Sequence, residues 1–170
     1  MIKAAGFFLV VLSGILLAFK SNRGYRKRIS ELEAFLESFK LIKAEMAYLK
    51  TPIHEIFCKA AKGDDPVVNR FFADLADGLE SGAPLKALWK ETLLKYSGQL
   101  CLQSKDLQIL SDVSVLLGQT DLINQIENLD SAADQLHLRL KAAQKEQAKN
   151  AKPQGTLYVA GSIVLGLLFL

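Results

Sequence analysis

The sequence predicts an all-α fold, a helical bundle of about six helices flanked by an N-terminal and a short C-terminal transmembrane helix. Three observations predict it. Apolar residues recur at spacings of three and four through the middle of the chain, no strand-like alternation runs longer than four residues, and an apolar run stands at each end. The run from Ala4 to Phe19 has only Ser13 polar, and the tail from Thr156 to Leu170 carries no charge. They divide the 170 residues into an N-terminal transmembrane helix at 1–19, a cytoplasmic helical domain with a basic stalk at 20–152, and a C-terminal transmembrane segment at 153–170.

A helix rises roughly 1.5 Å per residue and a hydrocarbon core is about 30 Å thick, so the first run is close to spanning length. The tail is shorter, and local thinning of the bilayer can cover part of its deficit. Lys20, Arg23, Arg26, Lys27 and Arg28 follow the first run with no acid before Glu31, and Lys141, Lys145, Lys149 and Lys152 precede the tail. The positive-inside bias then puts the middle of the chain in the cytoplasm and both termini outside. A cleaved signal peptide would carry its cations before the apolar run and small residues after it. Leu17-Ala18-Phe19-Lys20 offers no such site, so the segment reads as an uncleaved anchor.

From Ile29 to Lys50, Leu32, Phe35, Leu36, Phe39, Ile42, Met46 and Leu49 form one face of a helix that continues out of the basic stalk. The stripe has nearly coiled-coil regularity and is expected to pack within the domain. Thr51-Pro52 interrupts it, with Thr51 expected to cap a helix whose first residue is Pro52 and whose inner residues are Ile53, Ile56 and Phe57. Asp65-Pro66 repeats that punctuation before Val67, Val68, Phe71, Phe72, Leu75 and Leu79. Ser81-Gly82-Ala83-Pro84 is a turn, and Pro84 opens a helix with Leu85, Leu88, Trp89, Leu93 and Tyr96 inward. Trp89 sits in that stripe as a core residue. Ser104 is placed to cap a helix from Lys105 to Leu117. Gly118 can close it and Thr120 can cap the next, which carries Leu122, Ile126, Leu129, Ala133, Leu136, Leu140 and Ala143 and continues to about Ala151, before Pro153-Gln154-Gly155 ends the domain.

Charge and chemistry narrow the function. The stretch from Lys20 to Lys152 holds 20 of the 21 Lys and Arg and all 18 acids, a net +2, too little to make nucleic acid the main partner. Its positive charge collects at the two ends of the domain, as topology and anionic head groups require. Cys58 and Cys101 show no metal-ligand spacing and read as buried thiols rather than a disulfide. His54 and His137 are isolated and read as surface or capping residues. No phosphate loop, zinc motif or nucleophile elbow is present, so no catalytic, cofactor-binding or metal residue is assigned. The chain is expected to bind and position other proteins, with no small-molecule substrate and no cofactor. Oligomer formation stays open.

Several stretches carry a family resemblance. The N-terminal anchor with its basic stalk, Glu45-Met46-Ala47-Tyr48-Leu49-Lys50-Thr51-Pro52-Ile53-His54-Glu55, Asp106-Leu107-Gln108-Ile109-Leu110, Leu116-Leu117-Gly118-Gln119-Thr120-Asp121 with Gln125, and the apolar tail together resemble the stage III sporulation protein AB family over essentially the whole chain. That family's helical domain is similar to the cytoplasmic domains of the inner-membrane platform proteins of type II secretion and type IV pilus systems. Leu79-Glu80-Ser81-Gly82-Ala83-Pro84-Leu85 is similar to their Gly-containing turn. The resemblance implies a non-enzymatic membrane platform in the channel complex joining mother cell and forespore. It further implies placement in the outer forespore membrane with the domain in the mother-cell cytoplasm, and other channel proteins, a cytoplasmic secretion-type ATPase and membrane lipid as partners. The alternative is a general membrane-anchored scaffold or regulator that binds a cytoplasmic helix.

Overall fold

The computed structural model describes the backbone of residues 2–49, 51–116 and 122–168, and the side chains of 23–49, 51–114 and 122–149. The order is α1 (Ile2–Ala44), a π-helical turn (Glu45–Leu49), α2 (Ile53–Ala60), α3 (Pro66–Glu80), α4 (Leu85–Ser97), α5 (Ser104–Leu116) and α6 (Leu122–Leu168), with no strand among the described residues. The expected all-α fold is therefore found. Residues 28–141 form one compact unit, and the terminal stretches 1–27 and 142–170 form another. The side chains of the two expected transmembrane segments, 1–19 and 153–170, lie outside the described residues. Among the described residues no helix is long and apolar enough to cross a membrane.

In the 28–141 unit the α1 stripe is spent on the core. Leu32, Phe35, Leu36, Phe39, Ile42 and Met46 are all buried. Their partners come from α3, which presents Phe71 and Phe72 on one face; the Phe35 and Phe71 rings meet edge to face at 5.5 Å. Phe71 in turn meets Trp89 at 5.2 Å, and Phe57 reaches Trp89 from α2. Trp89 is the core residue that its stripe predicts. Burying an indole requires a partner for its N–H, and Trp89 Nε1 donates to the Leu110 carbonyl of α5 at 2.7 Å. Packing then follows chain order, α2 on α3, α3 on α4 and α4 on α5.

The helix ends follow the sequence in part. Asp65 caps α3 as expected, its carboxylate accepting from the Val67 and Val68 amides, with Pro66 at the first helical position. Gly82 has φ +85°, the left-handed geometry that turns α3 into α4. Gly78 serves a different end, because a Cβ there would fall 2.4 Å from Leu88 Cδ1, so α3 and α4 approach closely at that point.

Four expectations are corrected. Pro52 and Pro84 stand just before α2 and α4 as their N-caps instead of opening them, since their extended ψ of 140° and 126° is outside the helical range. Ser104 is the first residue of α5, not its cap; the Gln103 carbonyl takes the first helical amides while the Asp106 carboxylate accepts the Gln103 N–H at 2.9 Å, a reciprocal arrangement at that end. α6 does not stop near Ala151 but runs through Pro153 to Leu168. Proline lacks only one amide, and a helix of 47 residues continues past that loss. The cysteines are free, as expected, but not buried. Ile56, Phe57 and Ala60 make the inner face of α2, which turns Cys58 outward, and Cys101 is half-buried. His54 and His137 are exposed, in agreement with their reading.

Candidate functional site

The α1 stripe leads directly to the surface that stands out. Spacing alone extends it from Met46 to Leu49, but the chain changes from α to π geometry at Glu45, and each π turn holds one more residue than an α turn. The extra residue rotates the stripe off the core. Leu49, expected inside, is 65% exposed, and Tyr48 is 85% exposed.

A buried carboxylate holds this turn. Glu45 accepts from Lys59 Nζ of α2 at 2.7 Å and from Thr51 Oγ1 at 2.6 Å. The Lys59 hydrogen bond, and after it that of Thr51, keeps the Glu45 carboxyl below the ordinary glutamate range against the opposing effect of burial. Thr51 therefore braces the π turn through Glu45 and is not the helix cap that the sequence suggests, and α2 begins without a side-chain cap.

Beside the turn lies a groove of about 210 Å³ lined by Met46, Thr51, Ile53, Ile56, Leu85, Leu122 and Gln125. Of the six large apolar residues exposed among the described ones, Tyr48, Leu49, Leu122 and Ile123 belong to the two segments that flank it; Leu94 and Leu138 lie elsewhere. Lys43 of α1 bonds both carboxylate oxygens of Asp130 in α6, at 2.7 and 2.6 Å, and so keeps these segments together. Of the four apolar residues on the flanking segments, Leu122 lines the groove itself. The 117–121 part of the neighbouring turn lies outside the described residues.

A second arrangement occupies α1 and α6 roughly seventeen to eighteen residues away from the groove, on the order of 25 Å along each helix. Asp106, fully buried at the start of α5, accepts from Arg28 Nε at 2.8 Å and Arg28 Nη2 at 3.3 Å, and from Arg139 Nε of α6 at 2.7 Å. Arg28 is only 3% exposed. Arg139 also reaches Gln103 Oε1 at 2.8 Å. One turn on from Arg28, the buried Glu31 accepts the Cys101 amide at 2.7 Å and pins the connection between α4 and α5. Burial pushes the Asp106 carboxyl up, but the hydrogen bonds from Arg28, Arg139 and the Gln103 amide outweigh it and hold the carboxyl below the usual aspartate range. The result is a charged clamp on α1, α5 and α6.

In the sequence Arg28 stands as one of five stalk cations, and neither Asp106 nor Arg139 carries a predicted role. A signal was present: Arg28 precedes Leu32 by four residues, and Asp106 precedes Leu110 by four, so both occupy apolar-stripe positions. Among the described residues no group of three or more His, Cys, Asp or Glu could hold a metal ion. The two arrangements are suited to binding and to mechanical connection.

Comparison with known proteins agrees with the resemblance carried by the motifs. The family model of stage III sporulation protein AB matches residues 3–170. Stage III sporulation protein AB of Bacillus subtilis (strain 168) is 26% identical over 170 residues, covering 99% of each chain. A solved structure of a stage III sporulation protein AB is similar with a TM-score of 0.68 at 24% identity, over 72% of this chain and 98% of that one, and shows a shared fold.

Proposed function

The chain belongs to the stage III sporulation protein AB family, and from that premise we propose that it is a non-enzymatic membrane platform of the channel complex between mother cell and forespore. Its apolar ends anchor it in the outer forespore membrane, and its helical bundle stands in the mother-cell cytoplasm. There it positions a cytoplasmic secretion-type ATPase against the membrane channel. The similarity of the family's helical domain to secretion and pilus platform proteins motivates the ATPase as partner.

The observation that carries this reading is the groove beside the π turn. Four of the six large apolar side chains exposed among the described residues belong to the two segments that flank it. The clamp at Arg28, Asp106 and Arg139 supports the same reading, because a platform that transmits position must be stiff where its terminal helices leave the bundle.

Allelic replacement in the endospore-forming host tests the proposal. Tyr48→Asp combined with Leu49→Asp is expected to lower the yield of heat-resistant spores towards that of a deletion, with protein level unchanged. Leu94→Asp, an exposed apolar position away from the groove, is expected to leave the yield intact. Wild-type yield in the double variant, or equal loss in both, would reject the groove as the working surface.

A further inference from the structure

The chain's charge is divided sharply between its two compact units. The unit made of residues 1–27 and 142–170 holds eight Lys and Arg against one acid, Glu146, a formal +7, while residues 28–141 hold thirteen against seventeen, a formal −4. The formal +3 of the whole chain conceals this division. Within the basic unit the cations are ordered by helical geometry. Arg23, Arg26 and Lys27 fall within one turn and a face of α1, and Lys145, Lys149 and Lys152 recur at spacings of four and three on α6. Arg23, Arg26, Lys145 and Lys149 are exposed.

Two cationic faces in one unit, each beside an uncharged apolar run, suit one kind of surface. We propose that this unit is a binding collar for anionic phospholipid head groups. The inference rests on the reading that the terminal stretches meet a membrane, and goes further by naming what the collar binds. The apolar runs insert into any bilayer; the cations distinguish among bilayers. Guanidinium groups at 23 and 26 bind phosphate oxygens in a fork, and the lysines at 145 and 149 act as mobile point charges. A purely nucleic-acid role fits less well, because the apolar runs at 4–19 and 156–170 flank the cations directly.

The test uses the full chain in a neutral detergent, titrated with dioctanoyl-phosphatidylglycerol and with dioctanoyl-phosphatidylcholine, and reads bound lipid by native mass spectrometry. The collar predicts a clear preference for phosphatidylglycerol that falls with salt. At about 1 kcal/mol per cation, a variant combining R23Q, R26Q, K145Q and K149Q should lose up to about a thousandfold in affinity for that lipid. A variant carrying K86Q and K90Q on α4 should retain it. Far-UV circular dichroism checks that both variants keep their helices. Equal binding of the two lipids, no loss in the quadruple variant, or full competition by inorganic phosphate or duplex DNA would each overturn the proposal. Carbonate extraction of membranes from expressing cells tests the anchoring separately: a chain that stays in the membrane but shows no lipid preference defeats the collar alone, and a chain that is extracted yet prefers phosphatidylglycerol defeats the spanning segments alone.

Discussion

Replacing Asp106 by alanine should be among the most damaging single changes available in the bundle. The carboxylate is fully buried and accepts four hydrogen bonds, two from Arg28, one from Arg139 and one from the Gln103 amide. Summing them individually would overstate the loss, since the groups act as one network. A better measure is what the alanine leaves behind. Arg28, 3% exposed, cannot turn to water, whereas Arg139 is 23% exposed and keeps its bond to Gln103. A wholly uncompensated buried charge costs about 3–5 kcal/mol, and because Arg28 keeps a further interaction the loss should fall at or below the lower end of that range. Arg139→Gln should cost less, on the order of 1–2 kcal/mol, because Arg28 still holds the carboxylate. Urea unfolding of the full chain in detergent, followed by fluorescence of Trp89, the only tryptophan, measures both. Asp106→Ala within 1 kcal/mol of the parent, or Arg139→Gln as costly as Asp106→Ala, would refute the reasoning.

Because the folded state depresses the Asp106 carboxyl, its contribution is fully present above the ordinary aspartate pKa of about 3.9 and is lost as pH falls below that through the folded value; the parent should therefore lose stability between pH 5 and pH 3 more steeply than Asp106→Asn in the same unfolding assay. Gly82→Ala should cost about 1–2 kcal/mol by denaturant unfolding, a backbone penalty alone, since a Cβ there meets no atom within 4 Å. Trp89→Phe should cost on the order of 1–3 kcal/mol, read by far-UV circular dichroism, because the buried Leu110 carbonyl loses the indole donor. Tyr48→Ala and Leu49→Ala should each shift stability by less than about 0.5 kcal/mol, being exposed, so that any loss of function reports binding and not unfolding.

The core was legible because period and burial agree. Leu32, Phe35, Phe39 and Ile42 follow the stripe that their spacing draws, and Asp65 caps where a short acceptor before a proline should. The groove was legible only in place. The turn after α1 could be expected from Thr51-Pro52, yet nothing in Glu45–Leu49 announces π geometry, and the rotation that exposes Leu49 depends on a carboxylate held by Lys59 fourteen residues later. The clamp was hidden for a similar reason. Arg28 looks like its basic neighbours, and its partner is 78 residues away, so only the stripe position of each charge betrays the pair. Local rules found helices and caps, whereas side chains that tie distant elements needed the assembled fold.

The central claim is that the end of the bundle carrying the π turn meets a cytoplasmic member of the channel complex. Site-specific photocrosslinking from position 48 in sporulating cells tests it most directly, with the photoreactive residue at position 94 as the comparison. The expected result is a crosslink from position 48, and not from position 94, to a cytoplasmic ATPase of the complex identified by mass spectrometry. No product at position 48, or the same products from both positions, would contradict it.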